Sequence, residues 1–206
     1  SANQNNPIGQ YYLGKIYYNG QYIRRDIDKG IYYYTLAAKQ NDSGAQFSFA
    51  LIYYYGEYVK QDIDKAIHYL ILAADNNHRD AEFVLGMLYS DGKYIKQDIE
   101  KAVYYYTLAA NQNKMDAQYN LGLIYYKPDF HLQDINKSIY YFKLAANQNH
   151  LNSQMILGSI FYDCEYVTRD INKSIYYFEL AANQNCQEAQ YDLGCIYINQ
   201  DINKAI

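Results

Sequence analysis

The chain has 206 residues, a formal net charge of −4 and a pI near 5.5, so it offers no basic stripe for a sequence-independent grip on nucleic acid. Half of the residues are hydrophobic, yet mean hydropathy is −0.46 and no run approaches the roughly 18 apolar residues of a membrane helix, so membrane insertion is not expected. Tyr numbers 29 and Trp is absent, which gives much of the apolar surface a hydroxyl that needs water or a partner.

Internal repetition dominates the sequence. Leu13-Gly14, Phe49-Ala50, Leu85-Gly86, Leu121-Gly122, Leu157-Gly158 and Leu193-Gly194 recur in steps of 36 residues. The second half of the unit keeps the register, with Asp26, Asp62, Asp98, Asp134 and Asp170 each followed by Lys29, Lys65, Lys101, Lys137 and Lys173. The start, Ser1-Ala2-Asn3-Gln4-Asn5, lies over Ala109-Ala110-Asn111-Gln112-Asn113, so residues 1–8 read as the end of a preceding unit. Units 9–44, 45–80, 81–116, 117–152 and 153–188 follow, with a partial sixth at 189–206, as one array rather than several domains. Both ends fall inside a unit, and the expectation is a segment of a longer array.

Within a unit the first predicted helix, helix A, carries Ala81, Val84, Leu85, Leu88 and Tyr89 at the spacing of one apolar stripe. Asp80, Asp116 and Glu188 place negative charge near its start, where free backbone N–H groups favour it. Gly20, Gly56 and Gly92 suit the left-handed turn after it, while Pro128 and Cys164 at the same position predict a different loop path. A connector follows with Tyr22-Ile23, Tyr58-Val59, Tyr94-Ile95 and Tyr166-Val167, and with Phe130 and Leu132 in the fourth unit. These residues are expected to plug the end of the helix pair. The repeated Asp then caps helix B, whose paired alanines, as in Ala109-Ala110, allow close approach of another helix. Asn-Gln-Asn turns the chain into the next helix A. Between Tyr197 and Asp201 five residues of the connector are missing, which predicts a tighter hairpin turn there.

Such hairpins cannot cover both apolar faces alone, so the expected fold is all-α, a right-handed α-α superhelix (α-solenoid) of stacked helical hairpins with a 36-residue repeat. The small residue after Leu is expected where helix A meets its neighbour. The pattern shown best by Ala81 to Ala110, Ala-x-x-x-Leu-Gly-x-x-Tyr-x-x-Gly-x-Tyr-Ile-x-x-Asp-x-x-Lys-Ala-x-x-Tyr-Tyr-x-x-Ala-Ala, resembles the Sel1-like repeat, a relative of the tetratricopeptide repeat. The resemblance runs from end to end. It implies an adaptor or scaffold in multiprotein complexes. A cysteine-rich secreted branch of that family carries a bridged Cys pair in each repeat; this chain lacks those pairs, so a secreted role or β-lactam binding does not carry over.

By the same analogy the concave surface is lined by helix A in three columns. The first is Tyr11, Phe47, Phe83, Tyr119, Met155 and Tyr191; the second holds Lys15, Leu51, Met87, Leu123, Ser159 and Cys195; the third holds Tyr18, Tyr54, Ser90, Tyr126, Tyr162 and Ile198. Aromatic and Met side chains of this kind make a groove for a peptide or helix, or else fill the seams between stacked hairpins.

No chemistry competes with that reading. The four histidines form no His-Glu-x-x-His pattern, no Gly-rich phosphate loop follows a strand, and Cys164, Cys186 and Cys195 have neither disulfide nor metal-ligand spacing. No enzyme, cofactor or metal site is expected. The pairs Asp26/Asp28 and Asp62/Asp64 recur as Asp98/Glu100, Asp134/Asn136 and Asp170/Asn172, which favours capping over cation binding. The sequons at Asn41, Asn136 and Asn172 are expected to be unmodified, since no signal peptide opens this segment. Three cysteines without a pairing pattern fit a reducing, cytoplasmic compartment. The leading expectation is a non-enzymatic interaction scaffold for a protein or peptide partner. The alternative is a structural spacer locked into a larger assembly, contacting neighbours through the Tyr32-Tyr33, Tyr104-Tyr105 and Tyr140-Tyr141 tracts of helix B.

Overall fold

The computed structural model describes residues 6–128, 131–163 and 167–205. Among them lie eleven α-helices and no strand. They pair in order as α1 (Pro7–Asn19) with α2 (Ile27–Ala38), α3 (Ser43–Tyr55) with α4 (Ile63–Asp75) and α5 (Arg79–Asp91) with α6 (Ile99–Asn111). The next pairs are α7 (Met115–Tyr126) with α8 (Ile135–Ala146) and α9 (Leu151–Asp163) with α10 (Ile171–Ala182), followed by α11 (Gln187–Ala205). Two compact units divide the chain, Ser1–Lys114 and Met115–Ile206, and within each the hairpins pack on their successors through α2 with α3, α4 with α5 and α8 with α9.

Each even-numbered helix starts as its sequence predicts. Oδ1 of Asp26, Asp62, Asp98, Asp134 and Asp170 accepts from the backbone N–H of the repeated Lys at 2.9–3.0 Å. The ammonium of that Lys returns to the same carboxylate and also lies 5.1–5.4 Å above a ring on the preceding helix: Tyr17, Tyr53, Tyr89, Tyr125 or Phe161. Each of those rings stacks in turn, 5.7–5.9 Å centre to centre, on Tyr33, Tyr69, Tyr105, Tyr141 or Tyr177 of helix B. The cap and the stack therefore fix the same two helices at one end.

The glycine turns also follow expectation, with Gly20, Gly56 and Gly92 at φ of 70°, 66° and 70°. Helix B hands over to the next unit through Asn41, Asn77, Asn113, Asn149 and Asn185, all at φ near 60°, a conformation that Asn tolerates better than most residues. A further repeated contact was not anticipated: Arg25, Gln61, Gln97 and Gln133, just before the capping Asp, each donate a side-chain N–H to the carbonyl seven residues back, at 2.8–3.3 Å. At the fourth turn Pro128 follows a helix that stops at Tyr126, while Phe130, Cys164 and Tyr166 fall outside the described residues, as do Ser1–Asn5.

The small residue after Leu meets the other helix of its own hairpin, face-on to an aromatic ring twenty residues later. A Cβ added to Gly14, Gly86, Gly122 or Gly158 would come within 2.5–2.7 Å of Tyr34, Tyr106, Phe142 or Phe178. The second unit has Ala50 instead of Gly, and there the opposing residue is the smaller Leu70. Gly194 has nothing within 4 Å of a notional Cβ.

Two expectations need correction. The plug is made by the β-branched member of the connector in three units, where Val59, Ile95 and Val167 pack on the cores; in the first unit Ile23 is 41% and Tyr22 88% exposed, and Tyr58 and Tyr94 reach back to Tyr18 and Tyr54 of the preceding unit, edge to face at 5.7 Å. The Tyr58 hydroxyl finds its partner at the surface, where it accepts from Arg25 Nη2 at 2.7 Å. The sixth unit makes no tight turn either. With the glycine and connector deleted, nothing breaks the helical pattern, and α11 runs unbroken from Gln187 to Ala205 through Asp201.

A buried polar column also escaped the sequence reading. Gln10, Gln46, Glu82, Gln118 and Gln154 are at most 2% exposed, and each accepts from an amide thirty residues on, in Gln40, Asn76, Gln112, Gln148 or Gln184, at 2.7–3.0 Å. Pairing satisfies groups that would otherwise cost about 1–3 kcal/mol each. Glu82 alone brings a carboxyl, and burial pushes its pKa up.

Two measurements test these contacts. Gly86→Ala should cost about 1–3 kcal/mol by overpacking against Tyr106, and Tyr106→Leu about 2–5 kcal/mol by leaving a void. The double variant, which recreates Ala50 against Leu70, should lose at least ~0.5 kcal/mol less than the sum in denaturant unfolding. For Glu82 the raised pKa means that the folded chain binds a proton more readily than the unfolded one, so its contribution grows as pH falls through the folded pKa towards the ordinary Glu value and shrinks as pH rises. The capping Asp62 has the opposite sign, its carboxyl held down first by the Lys65 N–H, so it loses stability at low pH. Glu82→Gln should therefore raise the melting temperature at neutral pH, and the gap to the wild type should close on acidification.

Candidate partner-binding site

The first column of the expected concave surface is half-buried, apart from Tyr191 at 73% exposure. Each of its members in the complete units touches the residue that opens the following helix A. Phe47 stacks on His78 at 4.5 Å, Lys114 sits 5.1 Å over Phe83, Tyr119 lies 4.4 Å from the His150 ring, and Met155 Sδ is 3.9 Å from Cys186 Sγ. Tyr11 lies against Gly44 and Asp42, and burial raises its pKa. Phe83, Tyr119 and Tyr11 also pack on Tyr106, Phe142 and Tyr34. These side chains fill seams between neighbouring helices.

The residues that open helix A form a set of their own. His78 and His150 are 72 residues apart and hold the same place in their units; Nδ1 of each accepts from a backbone N–H, of Ala81 and of Ser153, at 3.2 Å. Burial lowers both pKa values, which keeps the imidazole neutral and able to accept. Asp42 caps α3 in the same way, and Lys114 instead joins its ammonium to Asp80 at 2.8 Å. The histidines are thus structural. The described residues contain no group of three or more His, Cys, Asp or Glu placed to hold a metal ion. Cys186 and Cys195 are free, half-buried thiols, and Cys164 lies outside the described residues.

The second and third columns line a cleft that recurs at the junction of successive hairpins. Between the first and second hairpins it encloses about 280 Å³ among Tyr18, Asn19, Tyr34, Ser48, Leu51, Ile52, Tyr55 and Glu57. Shifted by 72 plus 72 residues, Ser159, Tyr162, Asp163, Phe178, Asp192, Cys195 and Ile196 line a copy of about 220 Å³. The copy between α3, α4 and α5 encloses about 300 Å³, and its lining extends beyond Tyr54, Tyr55, Leu70, Met87 and Leu88 to Ala50, Ile63, Ala66 and Ile67 on its floor. Met87 is 44% exposed at its rim, and Leu51 is half-buried. Tyr54 and Tyr94 hydrogen-bond to one another at the mouth, and Lys93 adds a cation 4.9 Å from the Tyr94 ring. Leu123, Tyr126 and Tyr162 are half-buried; Leu123 and Tyr126 pack on the core formed by Phe142 and Leu157, and Arg169 lies 4.5 Å over Tyr162.

In each compact unit helix B also carries exposed tyrosines that line none of these clefts. Tyr32 and Tyr104 are 57% and 59% exposed, and Tyr140 and Tyr176 are 57% and 52% exposed. Their sequence neighbours Tyr33, Tyr105 and Tyr141 are the half-buried members of the stacks described above.

The sequence model of the Sel1 repeat matches residues 7–42, 43–78, 79–114, 116–150, 152–186 and 187–206. Among solved structures, a Sel1 repeat protein from Oxalobacter formigenes is 30% identical, with 94% of this chain aligned to 79% of that one at a TM-score of 0.76. The protective antigen c5321 of uropathogenic Escherichia coli, which displays an SLR fold, is 26% identical at a TM-score of 0.83; the match covers 92% of this chain and 41% of the antigen, so this chain spans about two fifths of it. Immunity protein Pa5087 from Pseudomonas aeruginosa, 18% identical over 87% of this chain and 69% of its own, shares the fold at a TM-score of 0.52. No curated protein matches.

Proposed function

The chain belongs to the Sel1 repeat family, and we propose that it is a non-enzymatic scaffold that binds a protein partner through the clefts on its odd-numbered helices. The observation that carries this reading is the recurrence of one cleft at successive hairpin junctions, with exposed or half-exposed apolar residues such as Leu51 and Met87 at its rim. The first column supports those clefts by closing the seams. Tyr54 and Tyr94 give the rim two phenols, each an amphipathic side chain of the kind enriched at interfaces.

The exposure of Tyr32, Tyr104, Tyr140 and Tyr176 favours a second reading, a spacer in a larger assembly that meets its neighbours through helix B. One experiment separates the two. Leu51→Glu with Met87→Glu places charge at the clefts, and Tyr32→Glu with Tyr104→Glu places it on helix B, both in the same compact unit. Affinity capture from the native source should lose its specific protein with the first pair and keep it with the second, at unchanged helical content by circular dichroism. The reverse pattern establishes the spacer reading.

A further inference from the structure

Four hairpins close their interior with an aromatic ring from helix B: Tyr34, Tyr106, Phe142 and Phe178. The hairpin of α3 and α4 has Leu70 there. In the first hairpin Tyr34 also hydrogen-bonds Ser48 and its pKa is pushed up to about 12 by burial. Thirty-six residues on, that polar pair becomes Leu70 and Val84, both lining the cleft. Substitution of the ring by an isobutyl group, with Val in place of the hydroxyl partner, opens the floor onto Ile63, Ala66 and Ile67, which line neither other copy of the cleft. The space is therefore apolar and lies where the sister units place a phenyl or phenol. Its mouth differs too: Lys93 stands where the first copy has Glu57, so the charge at the rim is reversed. Asp91 shares the rim, with its carboxylate accepting from the Lys93 backbone N–H at 2.8 Å.

We propose that this cavity receives one aromatic side chain of a partner polypeptide, inserted over Leu70, with an acidic group of the same segment against the Lys93 ammonium. The incoming ring supplies what the chain's own helix B supplies elsewhere, and the floor side chains, Ala50, Ile63, Ala66 and Ile67, are all apolar. Lys93 already lies beside two phenols, Tyr54 and Tyr94, and is a mobile cation on a long stem, suited to follow an acid at the rim. The assignment rests on the reading of the odd-numbered helices as the binding surface, and it narrows that reading to one junction and one chemistry.

The test uses N-acetylphenylalanine as the probe, with N-acetylphenylalaninamide and N-acetylalanine as controls. For so small a ligand a dissociation constant on the order of millimolar is expected. Methyl resonances of Ile63, Ile67, Leu70, Val84 and Leu88 should shift saturably with the acid, at least about threefold more weakly with the amide, and not at all with N-acetylalanine. The variant Leu70→Phe with Ala50→Gly and Phe49→Leu rebuilds the Leu-Gly-ring arrangement of the sister units, so it should melt no lower than the wild type and should lose the response. Lys93→Ala should keep the aromatic response and lose the preference for the acid. Absence of saturable shifts at those methyls, or equal shifts in the filled variant, overturns the proposal, and equal binding of acid and amide overturns the role of Lys93. The probe needs no natural partner, so the outcomes stay separate from those of the capture experiment. Probe uptake with unchanged capture in Leu51→Glu/Met87→Glu removes the scaffold reading alone, and lost capture without probe uptake removes the cavity alone.

Discussion

The structure depends on how near the two helices of a hairpin come to one another, and that is set by a single facing pair. Where helix A offers no Cβ, a ring lies flat against its backbone, as at Gly14 with Tyr34 or Gly122 with Phe142. Added methyl groups there would sit well inside van der Waals contact, so glycine and ring are retained together. Everything further out assumes that spacing: the Lys-capped Asp, the stack of Tyr17 on Tyr33 and its counterparts, and the amide pairs beginning with Gln10 and Gln40. Individually these outer contacts are weak, since the ion pairs are largely solvated. Repeated in register on two rigid helices, they select one arrangement.

Much of this was legible because it is periodic. The capping role of Asp26 and its equivalents, the left-handed turns at Gly20, Gly56 and Gly92, and the helix pairing all follow from residue types with one strong local preference. The polar column was not legible for the same reason that the exposed tyrosines were not sorted in advance: Gln has no such preference, and its burial depends on an amide thirty residues away. A tyrosine is equally ambiguous, and only the position of the neighbouring ring decides between Tyr32 at the surface and Tyr34 in the core. The continuity of α11 was missed because a familiar Asp-Ile-Asn-Lys string at Asp201 suggested a helix start, whereas a cap works only where the chain has first turned.

Beside the departures at Pro128, Cys164 and α11, a further set falls within the first compact unit. Ala50, Leu70, Glu82 and Lys93 each replace the residue type that most other units carry, Val84 stands at a position that varies from unit to unit, and all five belong to the compact unit Ser1–Lys114. Leu70 and Val84 alter a cavity, Lys93 alters the charge at its mouth, and Glu82 places a carboxyl where the other units bury an amide. Residues shared by every unit describe how the chain stacks. Those five describe where it differs from a uniform stack.

The amide pairs carry one more consequence. Gln46 with Asn76, Ala50 against Leu70, Tyr53 on Tyr69 and Phe47 on His78 all lie within residues 43–78, so each partner travels with the other. Excising that span whole would bring Tyr94 into the place of Tyr58 above Tyr18, with every remaining contact of the hairpin type still matched. Cutting one residue more or less would misalign them all at once. Such an array can lengthen or shorten by duplication and loss of entire units at little structural cost, while single-residue insertions within a helix are shut out; the five residues missing from the sixth unit are lost from a connector, where the helix simply runs on.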